Sequence, residues 1–260
     1  MKIQDLVDGH LKEENDKPRI RSGKISPSSL GRCYRYQIWY RADLKPSNPP
    51  VERDLRVFKI GNIIHEWIQG YFTDEQVEVL CEEEDVKGYC DMVLGDTVYD
   101  IKSQHSGSFH YMNAVGDDVF NDKFQNWLQL LFYAKHLKKE RMQLVFVSKD
   151  DACMKEYNLE VKKYVRYLEK ELDVLRELWV QYKEDGVIPS GEPKAYGGKE
   201  CRYCQFASKC VAISEDDHPV RTELAIMKNS TRKLTKKQLS TVMKLENIVN
   251  IAEAINKKEK

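Results

Sequence analysis

Apolar residues at helical spacing dominate one segment in the first third of the chain. Between Asp54 and Phe72 they recur at intervals of three and four residues, which is typical of an amphipathic helix. A shorter helix is predicted over 29–41, between a basic, turn-rich loop over 18–29 and a proline-rich loop over 43–53. The apolar positions of the long helix are Phe58, Ile60, Ile63, Ile64, Trp67, Ile68 and Tyr71.

Strand patterns follow in the middle of the chain. The segments 76–83 and 86–103 are rich in β-branched and aromatic residues, and Gly95-Asp96 divides the second at a dipeptide that suits a two-residue hairpin turn. Two more strands are predicted over 142–148 and 153–160.

The second half of the chain returns to helical spacing. Helices are predicted over 119–138 and 161–184, and a Gly/Pro loop over 186–200 leads into a group of cysteines. Thr235 and Gln238 form a capping box that begins a final helix to about Ile255. This order of helices and strands predicts a mixed α/β core with helices on the faces of the sheet.

Composition narrows the class of protein. The chain has 260 residues, of which 41% are hydrophobic, and no apolar run approaches the ~20 residues that a membrane span requires. The N-terminal segment lacks the pattern of a secretory signal, so we expect a cytoplasmic protein without a membrane partner. Seven unevenly spaced cysteines in a reducing compartment indicate metal binding or catalysis more than a disulfide framework.

Charge is balanced over the whole chain but not along it. There are 42 basic and 42 acidic side chains, whereas residues 228–260 carry nine basic and three acidic residues, a net charge of +6. We therefore predict a domain over 1–220 and a basic helical extension over 221–260. A solvated helix face, a surface for DNA, a protein partner and self-association all fit such an extension.

The hairpin predicted over 88–103 brings two carboxylates and a lysine together at one point of the sheet. With Gly95-Asp96 as the turn, strand register sets Asp91 opposite Asp100, and Lys102 follows one pleat later on the same face. Two facing carboxylates, with Cβ atoms ~5 Å apart, destabilise a sheet unless a positive charge lies between them. A divalent cation with oxygen ligands meets that need, and a nearby lysine could stabilise the charge that develops when a phosphodiester is hydrolysed. A solvent-facing strand pair with soluble Asp and Lys side chains is the alternative for this short motif.

Two helices supply further polar candidates. His65 falls at the edge of the apolar stripe on the long helix, where an imidazole can reach a cleft. Gln125, Gln129 and Tyr133 are spaced by four and share one face of the helix predicted over 119–138. Each of these also fits an ordinary helix surface.

Together, the pieces occur in the order and approximate spacing of the RecB-like branch of the PD-(D/E)XK nuclease superfamily. They are His65, Gly88 to Asp91, Asp100-Ile101-Lys102 and Gln129 to Tyr133. Over residues 25–215 the chain resembles that family, which implies a restriction-endonuclease-like α/β core with a mixed central sheet flanked by helices.

The resemblance also implies roles for these residues. His65, Asp91, Asp100 and the backbone carbonyl of Ile101 correspond to ligands of Mg²⁺ or Mn²⁺. Lys102 corresponds to the catalytic lysine that acts with the two aspartates, and Gln129 and Tyr133 correspond to DNA contacts. One imidazole among oxygen ligands lets Mn²⁺ compete well with Mg²⁺.

The sequence CRYCQFASKC places Cys201, Cys204 and Cys210 in a run of three thiols, one short of the four that a zinc site or a four-iron cluster usually takes. Cys33 is the best candidate for the fourth ligand, because the chain resembles the iron-sulfur exonucleases of CRISPR adaptation and of the AddB type. In that group, four cysteines hold a 4Fe-4S cluster that clasps the N- and C-terminal segments together. Zinc, with His218 or Cys33 as the fourth ligand, is the alternative.

The remaining cysteines and arginines have simpler interpretations. Cys81, Cys90 and Cys153 fall in strand-like segments, so they are predicted to be packed small hydrophobic residues. Arg35 is predicted to lie on a helix surface, and contact with a DNA phosphate is the alternative.

The expected function is metal-dependent hydrolysis of DNA, with exonuclease activity at single-stranded ends implied by the resemblance. Recombination, repair and phage or CRISPR DNA processing are the settings it implies. Two alternatives stay open: a catalytically silent scaffold that binds DNA ends, and a zinc-stabilised interaction module.

Overall fold

The computed structural model describes residues 2–18, 21–112, 119–194, 199–214, 218–230 and 233–258. Parts of the predicted loops 18–29 and 186–200, and of the extension over 221–260, lie outside the described residues. The helices are α1 Ile3–Asp16, α2 Tyr34–Arg41, α3 Glu52–Gln69, α4 Ser106–Tyr111, α5 Val119–Asp122, α6 Phe124–His136, α7 Val165–Asp185, α8 Ala207–Ile213, α9 Pro219–Lys228 and α10 Lys236–Lys258. Short 3-10 turns cover Pro27–Ser29, Val161–Lys163 and Glu200–Tyr203.

Five strands form one mixed sheet in the order β1-β2-β3-β4-β5. The strands are β1 Val77–Glu82, β2 Lys87–Leu94, β3 Thr97–Gln104, β4 Arg141–Ser148 and β5 Met154–Glu160. Neighbouring strands are antiparallel except β3 and β4, which are parallel and are connected through α4, α5 and α6. The predicted mixed α/β core is confirmed.

Helices cover both faces of the sheet. Helix α6 carries eight buried residues in an unbroken run from Trp127 to Ala134, and it packs in the main hydrophobic cluster with Val98, Leu144 and Phe146. On the opposite face, Met92, Ile101, Val145 and Val147 pack against Ile64 and Ile68 of α3. The central strand β3 is thus covered from both sides, and its residues Val98, Asp100 and Ile101 are buried.

The long amphipathic helix differs from its prediction in which side chains it buries. Ile64 and Ile68 face the sheet, but Phe58, Ile63 and Trp67 of the same apolar stripe remain 56%, 51% and 44% exposed. Helix α1, for which no element was predicted, packs along α3 and forms ion pairs to it through Asp8 and Glu14. The sheet accepts only a narrow strip of α3, so the helix is held at the edge of the core.

The C-terminal helices form a second, smaller core. Val211 of α8, Val220 and Leu224 of α9, and Leu245 and Ile248 of α10 are buried together. Helix α9 was not predicted, whereas the capping box at the start of α10 is confirmed, since the Thr235 N–H donates to Gln238 and the Gln238 N–H donates to the Thr235 hydroxyl. No helix in the described part of the chain is long and apolar enough to cross a membrane.

Candidate active site

The β2–β3 hairpin has the predicted turn and the predicted register next to it, but the predicted pair of Asp91 with Asp100 does not form. Leu94 pairs with Thr97, Val93 with Val98 and Met92 with Tyr99, with Gly95 in the left-handed conformation at φ +56°. The ladder of paired residues ends there, one step before Asp91. The carboxylate of Asp91 instead accepts a hydrogen bond from the backbone N–H of Ile101 at 2.7 Å. The Asp91 side chain therefore lies between β2 and β3.

This arrangement differs from strict alternation along β2. Cys90 packs in the cluster on the α6 side of the sheet, while Met92 packs on the α3 side. On the neighbouring strand, Glu78 adopts a left-handed backbone with φ +47° between Val77 and Val79. A non-glycine residue in that conformation is strained, and such strain is concentrated at functional sites.

Asp100 is completely buried beside this break in the ladder. Its Oδ1 lies 2.6 Å from the Nζ of Lys102, and its Oδ2 is buried and has no hydrogen-bond partner among the described residues. Burial raises the pKa of Asp100 to about 7; the Lys102 ammonium opposes this rise and the Asp91 carboxylate adds to it. A buried carboxylate oxygen without a partner is costly, and a bound cation would remove that cost.

His65 approaches the same point from α3. Its Nδ1 lies 3.5 Å from Oδ2 of Asp91, and its side chain is 28% exposed. The structure therefore brings together His65, Asp91, Asp100 and Lys102, together with the backbone of Ile101. Imidazole and carboxylate groups with a lysine at hand form a donor set that suits Mg²⁺ or Mn²⁺.

Gln69, one turn beyond His65 on α3, is a member of the site that was missed in the sequence. Its Nε2 donates to the backbone carbonyl of Asp91 at 3.0 Å and to Glu78 Oε1 at 2.8 Å. The spacing of four from His65 is the signal that could have identified it, because residues four apart share a helix face. Gln69 joins the helix that carries the imidazole to the strand that carries the carboxylate.

Helix α6 contributes Gln129 and Tyr133 from the other side of the sheet. Both side chains are buried, and Nε2 of Gln129 lies 3.5 Å from the Tyr133 hydroxyl. Burial, with the negative charge of Asp100, raises the pKa of Tyr133. The Tyr133 hydroxyl would lie only 2.9 Å from a Cβ atom at position 88, so Gly88 is required for this close approach. A direct DNA contact by either residue remains a prediction.

The four cysteines predicted as a cluster line one small cavity. Cys33, Cys201, Cys204 and Cys210 share it with His218, whose Nε2 lies 3.3 Å from the Cys210 sulfur. Burial and the nearby thiols raise the pKa of Cys201 to about 12, and burial raises that of Cys33 to about 11. Four thiolates close together repel one another. A zinc ion or an iron-sulfur cluster, which sulfur donors bind well, would neutralise that charge.

Neither site is closed around a metal position in this conformation. Across the described ranges, no three His, Cys, Asp or Glu side chains meet the geometry of a metal-binding group.

Two buried glutamates, which the sequence did not single out, join the N-terminal segment to the rest of the chain. Glu200 accepts the backbone N–H groups of Cys33 and Lys194 at 3.0 Å and the Arg32 guanidinium at 3.2 Å. Glu171 of α7 accepts the N–H of Gly31 and the side chains of Tyr34 and Gln37. The segment around Cys33 is therefore fixed beside Cys201 by protein contacts alone.

The simpler expectations have mixed outcomes. Cys81 and Cys90 are fully buried, as predicted, whereas Cys153 is exposed because it lies in the turn between β4 and β5. Arg35 is not a free helix-surface residue, since it donates to the Pro189 carbonyl at 2.9 Å and to the Cys210 sulfur at 2.9 Å. Its charge faces the cysteine cavity.

Comparison with known proteins gives distant likenesses of structure only. No protein-family model and no curated protein match the sequence. Among solved structures, the chain is similar to SSO0001, at 19% identity over 80% of this chain and 95% of that one, with a TM-score of 0.48. It is also similar to the alkaline exonuclease LHK-Exo from Laribacter hongkongensis, at 13% identity over 64% of this chain and 94% of that one, with a TM-score of 0.42. A phage-related exonuclease from Haemophilus somnus 129PT is similar at 11% identity over 71% of this chain and 83% of that one, with a TM-score of 0.37. With every TM-score below 0.5, none of these likenesses assigns an activity to this chain.

Proposed function

We propose that this chain is a DNA exonuclease that depends on Mg²⁺ or Mn²⁺. The observation that supports it most directly is the fully buried Asp100, whose Oδ2 has no hydrogen-bond partner among the described residues, beside Asp91 and Lys102. An aspartate that served only solubility would lie on the surface, since burying a carboxylate oxygen without a partner is destabilising. Perturbed carboxylates in a polar cluster are typical of catalytic sites.

In this proposal His65, Asp91, Asp100 and the Ile101 carbonyl hold the cation. The cation, when bound, supplies Lewis-acid activation of water for attack on the phosphodiester. The chain's own contribution is positional: the Ile101 N–H fixes the Asp91 carboxylate at 2.7 Å, and α3 brings the imidazole to within 3.5 Å of it.

Lys102 has a separate role. Its side chain is 28% exposed while Asp100 is fully buried, so the ammonium lies between the buried carboxylate and solvent. A cation bound at Asp100 would compete with Lys102 for that carboxylate and leave the ammonium available to a substrate phosphate. The lysine is then placed to stabilise the negative charge that develops during hydrolysis.

We further propose that Cys33, Cys201, Cys204 and Cys210 hold a structural 4Fe-4S cluster. The support is that all four thiols line one cavity and that Glu200 fixes the backbone of Cys33 beside Cys201. The resemblance to iron-sulfur exonucleases extends the proposal to a substrate strand with a free, single-stranded end. Gln129 and Tyr133 are buried, and the Tyr133 hydroxyl packs against Gly88. We propose that they hold the strands around Asp100 in place in addition to the predicted DNA contact.

The experiment that tests the proposal uses protein purified under nitrogen and end-labelled single- and double-stranded DNA, with Mg²⁺, Mn²⁺ or EDTA. We expect cleavage from single-stranded ends with Mn²⁺ or Mg²⁺ and none with EDTA. Lys102→Ala should abolish cleavage but retain DNA binding, and Lys138→Ala, in the turn after α6, is the matched control. Binding without any cleavage by the unaltered protein would instead identify a silent DNA-end scaffold.

A further inference from the structure

The C-terminal helices α9 and α10 carry an excess of positive charge that their own carboxylates do not neutralise. Glu246 pairs with Lys228 at 2.8 Å, and Glu223 pairs with Arg202. These pairs use two of the three acidic side chains that the structure describes between 219 and 258. Among the described residues, the lysines of this region with no ion-pair partner are Lys233, Lys236, Lys237, Lys244, Lys257 and Lys258.

Two of these lysines lie on one stripe of α10, and the first of them lines a groove. Lys237, Thr241 and Lys244 are spaced by four and three, so they follow each other along the same side of the helix. Lys237 and Thr241 line a groove of about 690 Å³ between α10 and α9, whose other side includes Thr222 and Ile226. The groove thus carries the Lys237 ammonium, hydroxyl groups and apolar side chains, and its one carboxylate among the described residues, Glu223, is paired with Arg202.

An exposed aromatic ring extends the same surface. Tyr203 is 66% exposed, and the Nζ of Lys244 lies 4.7 Å from the centre of its ring. Tyr203 sits in the short turn between Cys201 and Cys204, next to Arg202 on the rim of the groove. An aromatic ring interleaved with basic side chains is the combination that binds single-stranded nucleic acid by stacking and by phosphate contacts.

The surface is fixed to the main domain. The hydroxyl of Ser208 in α8 donates to the backbone carbonyl of Ile248 in α10 at 2.9 Å, and both residues are buried. Asn48, in the loop before α3, bonds in turn to the Ser208 side chain and backbone. A strand bound on α10 would therefore be held at a constant position relative to the sheet.

We propose that Lys237, Lys244 and Tyr203 form a second contact for single-stranded DNA, separate from the residues of the candidate active site. This inference rests on the proposed function for the choice of DNA as the ligand. The charge selects an acidic partner, and the phosphates of a nucleic-acid strand are polyanionic. A second copy of this chain would present the same positive surface, so self-association here is opposed by repulsion.

Fluorescence anisotropy with an end-labelled oligonucleotide of about 30 nucleotides tests the contact, at several salt concentrations and with EDTA to prevent cleavage. Each phosphate contact on a single strand contributes about 0.7 to the slope of log K against log salt. The double variant Lys237→Gln/Lys244→Gln is therefore expected to reduce that slope by about 1.4 and to weaken binding. Tyr203→Ala is expected to weaken binding about tenfold, while Tyr203→Phe retains it.

The matched control is Lys12→Gln/Lys170→Gln, which removes the same charge from exposed lysines of α1 and α7. Unchanged affinity and slope in the α10 variant, or an equal loss in the control, would overturn the proposal. So would a dimer in sedimentation experiments that dissociates in the α10 variant, since that identifies a surface for a second copy. DNA binding is measured here without divalent metal. The outcome of this test therefore does not depend on whether the unaltered protein cleaves DNA.

Discussion

The side chain of Gln69 donates a hydrogen bond to the backbone carbonyl of Asp91, at a distance of 3.0 Å. The same amide group donates to Glu78, whose backbone is strained at φ +47°. Three elements, α3, β1 and β2, are thus fixed to one another at the residue proposed to bind the cation. Gln69 is therefore a positioning residue, since it acts on the site through the backbone of Asp91.

We expect Gln69→Leu to weaken Mn²⁺ binding about tenfold or more, which is the usual effect of removing a group that orients a metal ligand. Titration calorimetry with Mn²⁺ measures this directly. The KM for DNA should stay close to that of the unaltered protein, because Gln69 lies behind the carboxylate.

Gln181→Leu, on the exposed face of α7, is the matched control. Equal Mn²⁺ affinity in Gln69→Leu and Gln181→Leu would show that the hydrogen bond to Asp91 has no part in metal binding.

Asp100 makes the stability of the metal-free protein depend on pH. Its pKa is raised to about 7 in the folded chain, chiefly by burial, whereas an aspartate in the unfolded chain has a pKa of about 4. The folded state thus holds the proton more tightly, so stability is lost as the pH rises from about 4 to about 7. Asp100→Asn escapes this loss, and we expect its Tm at pH 8 to exceed that of the unaltered protein by about 2 °C or more.

The same substitution should abolish cleavage, since it removes a proposed ligand. Differential scanning calorimetry at pH 5 and pH 8, without divalent metal, checks the stability part, and the gain should be smaller at pH 5. Asp74→Asn, at an exposed position, should show no such gain. A lower Tm for Asp100→Asn at pH 8 would mean that the buried carboxylate stabilises the fold.

Gly88 is the position where an added methyl group should do most damage near the site. A Cβ atom there would lie 2.8 Å from the ring of Pro27 and 2.9 Å from the Tyr133 hydroxyl. We expect Gly88→Ala to lower the free energy of unfolding by about 1–3 kcal/mol, as overpacking does. Urea denaturation measures it, with Gly9→Ala on exposed α1 as a control that is neutral or slightly stabilising.

The cysteine cavity predicts a visible chromophore. Protein prepared under nitrogen should be brown and contain iron and sulfide, and Cys33→Ser should lose both colour and stability. Cys153→Ser, at the exposed turn, should leave the spectrum unchanged. A colourless protein with one bound zinc ion would contradict the iron-sulfur proposal and favour the zinc alternative.

Local sequence signals predicted the parts of the fold that local physics determines. The turn at Gly95-Asp96 sets the register of the hairpin, because only a two-residue connection aligns Val93 with Val98. The capping box at Thr235 marks the start of α10, because the bonds between Thr235 and Gln238 involve residues only three apart in sequence. The closeness of Asp91 to the Asp100 segment follows from that register.

The features of the fold and of the site that the sequence did not predict depend on contacts between distant segments. The apolar stripe of α3 predicts burial of Phe58 and Trp67, but the sheet has room for only Ile64 and Ile68. The β2–β3 ladder ends before Asp91, where the Asp91 carboxylate takes the Ile101 N–H, and no residue pattern encodes that choice. Likewise, the sequence around Glu200 does not predict its burial, because the partner of its carboxylate is the backbone N–H of Cys33, 167 residues earlier in the chain.

That last contact has a consequence for how the protein is made. The five strands span residues 77–160 and are therefore synthesised before Glu171 and Glu200. Because segments so far apart in sequence pair late in folding, the sheet is expected to form while the region around Cys33 is still unanchored. A nascent chain released early would present the thiol of Cys33 without its partners, so delivery of any metal must wait for the final third of the polypeptide.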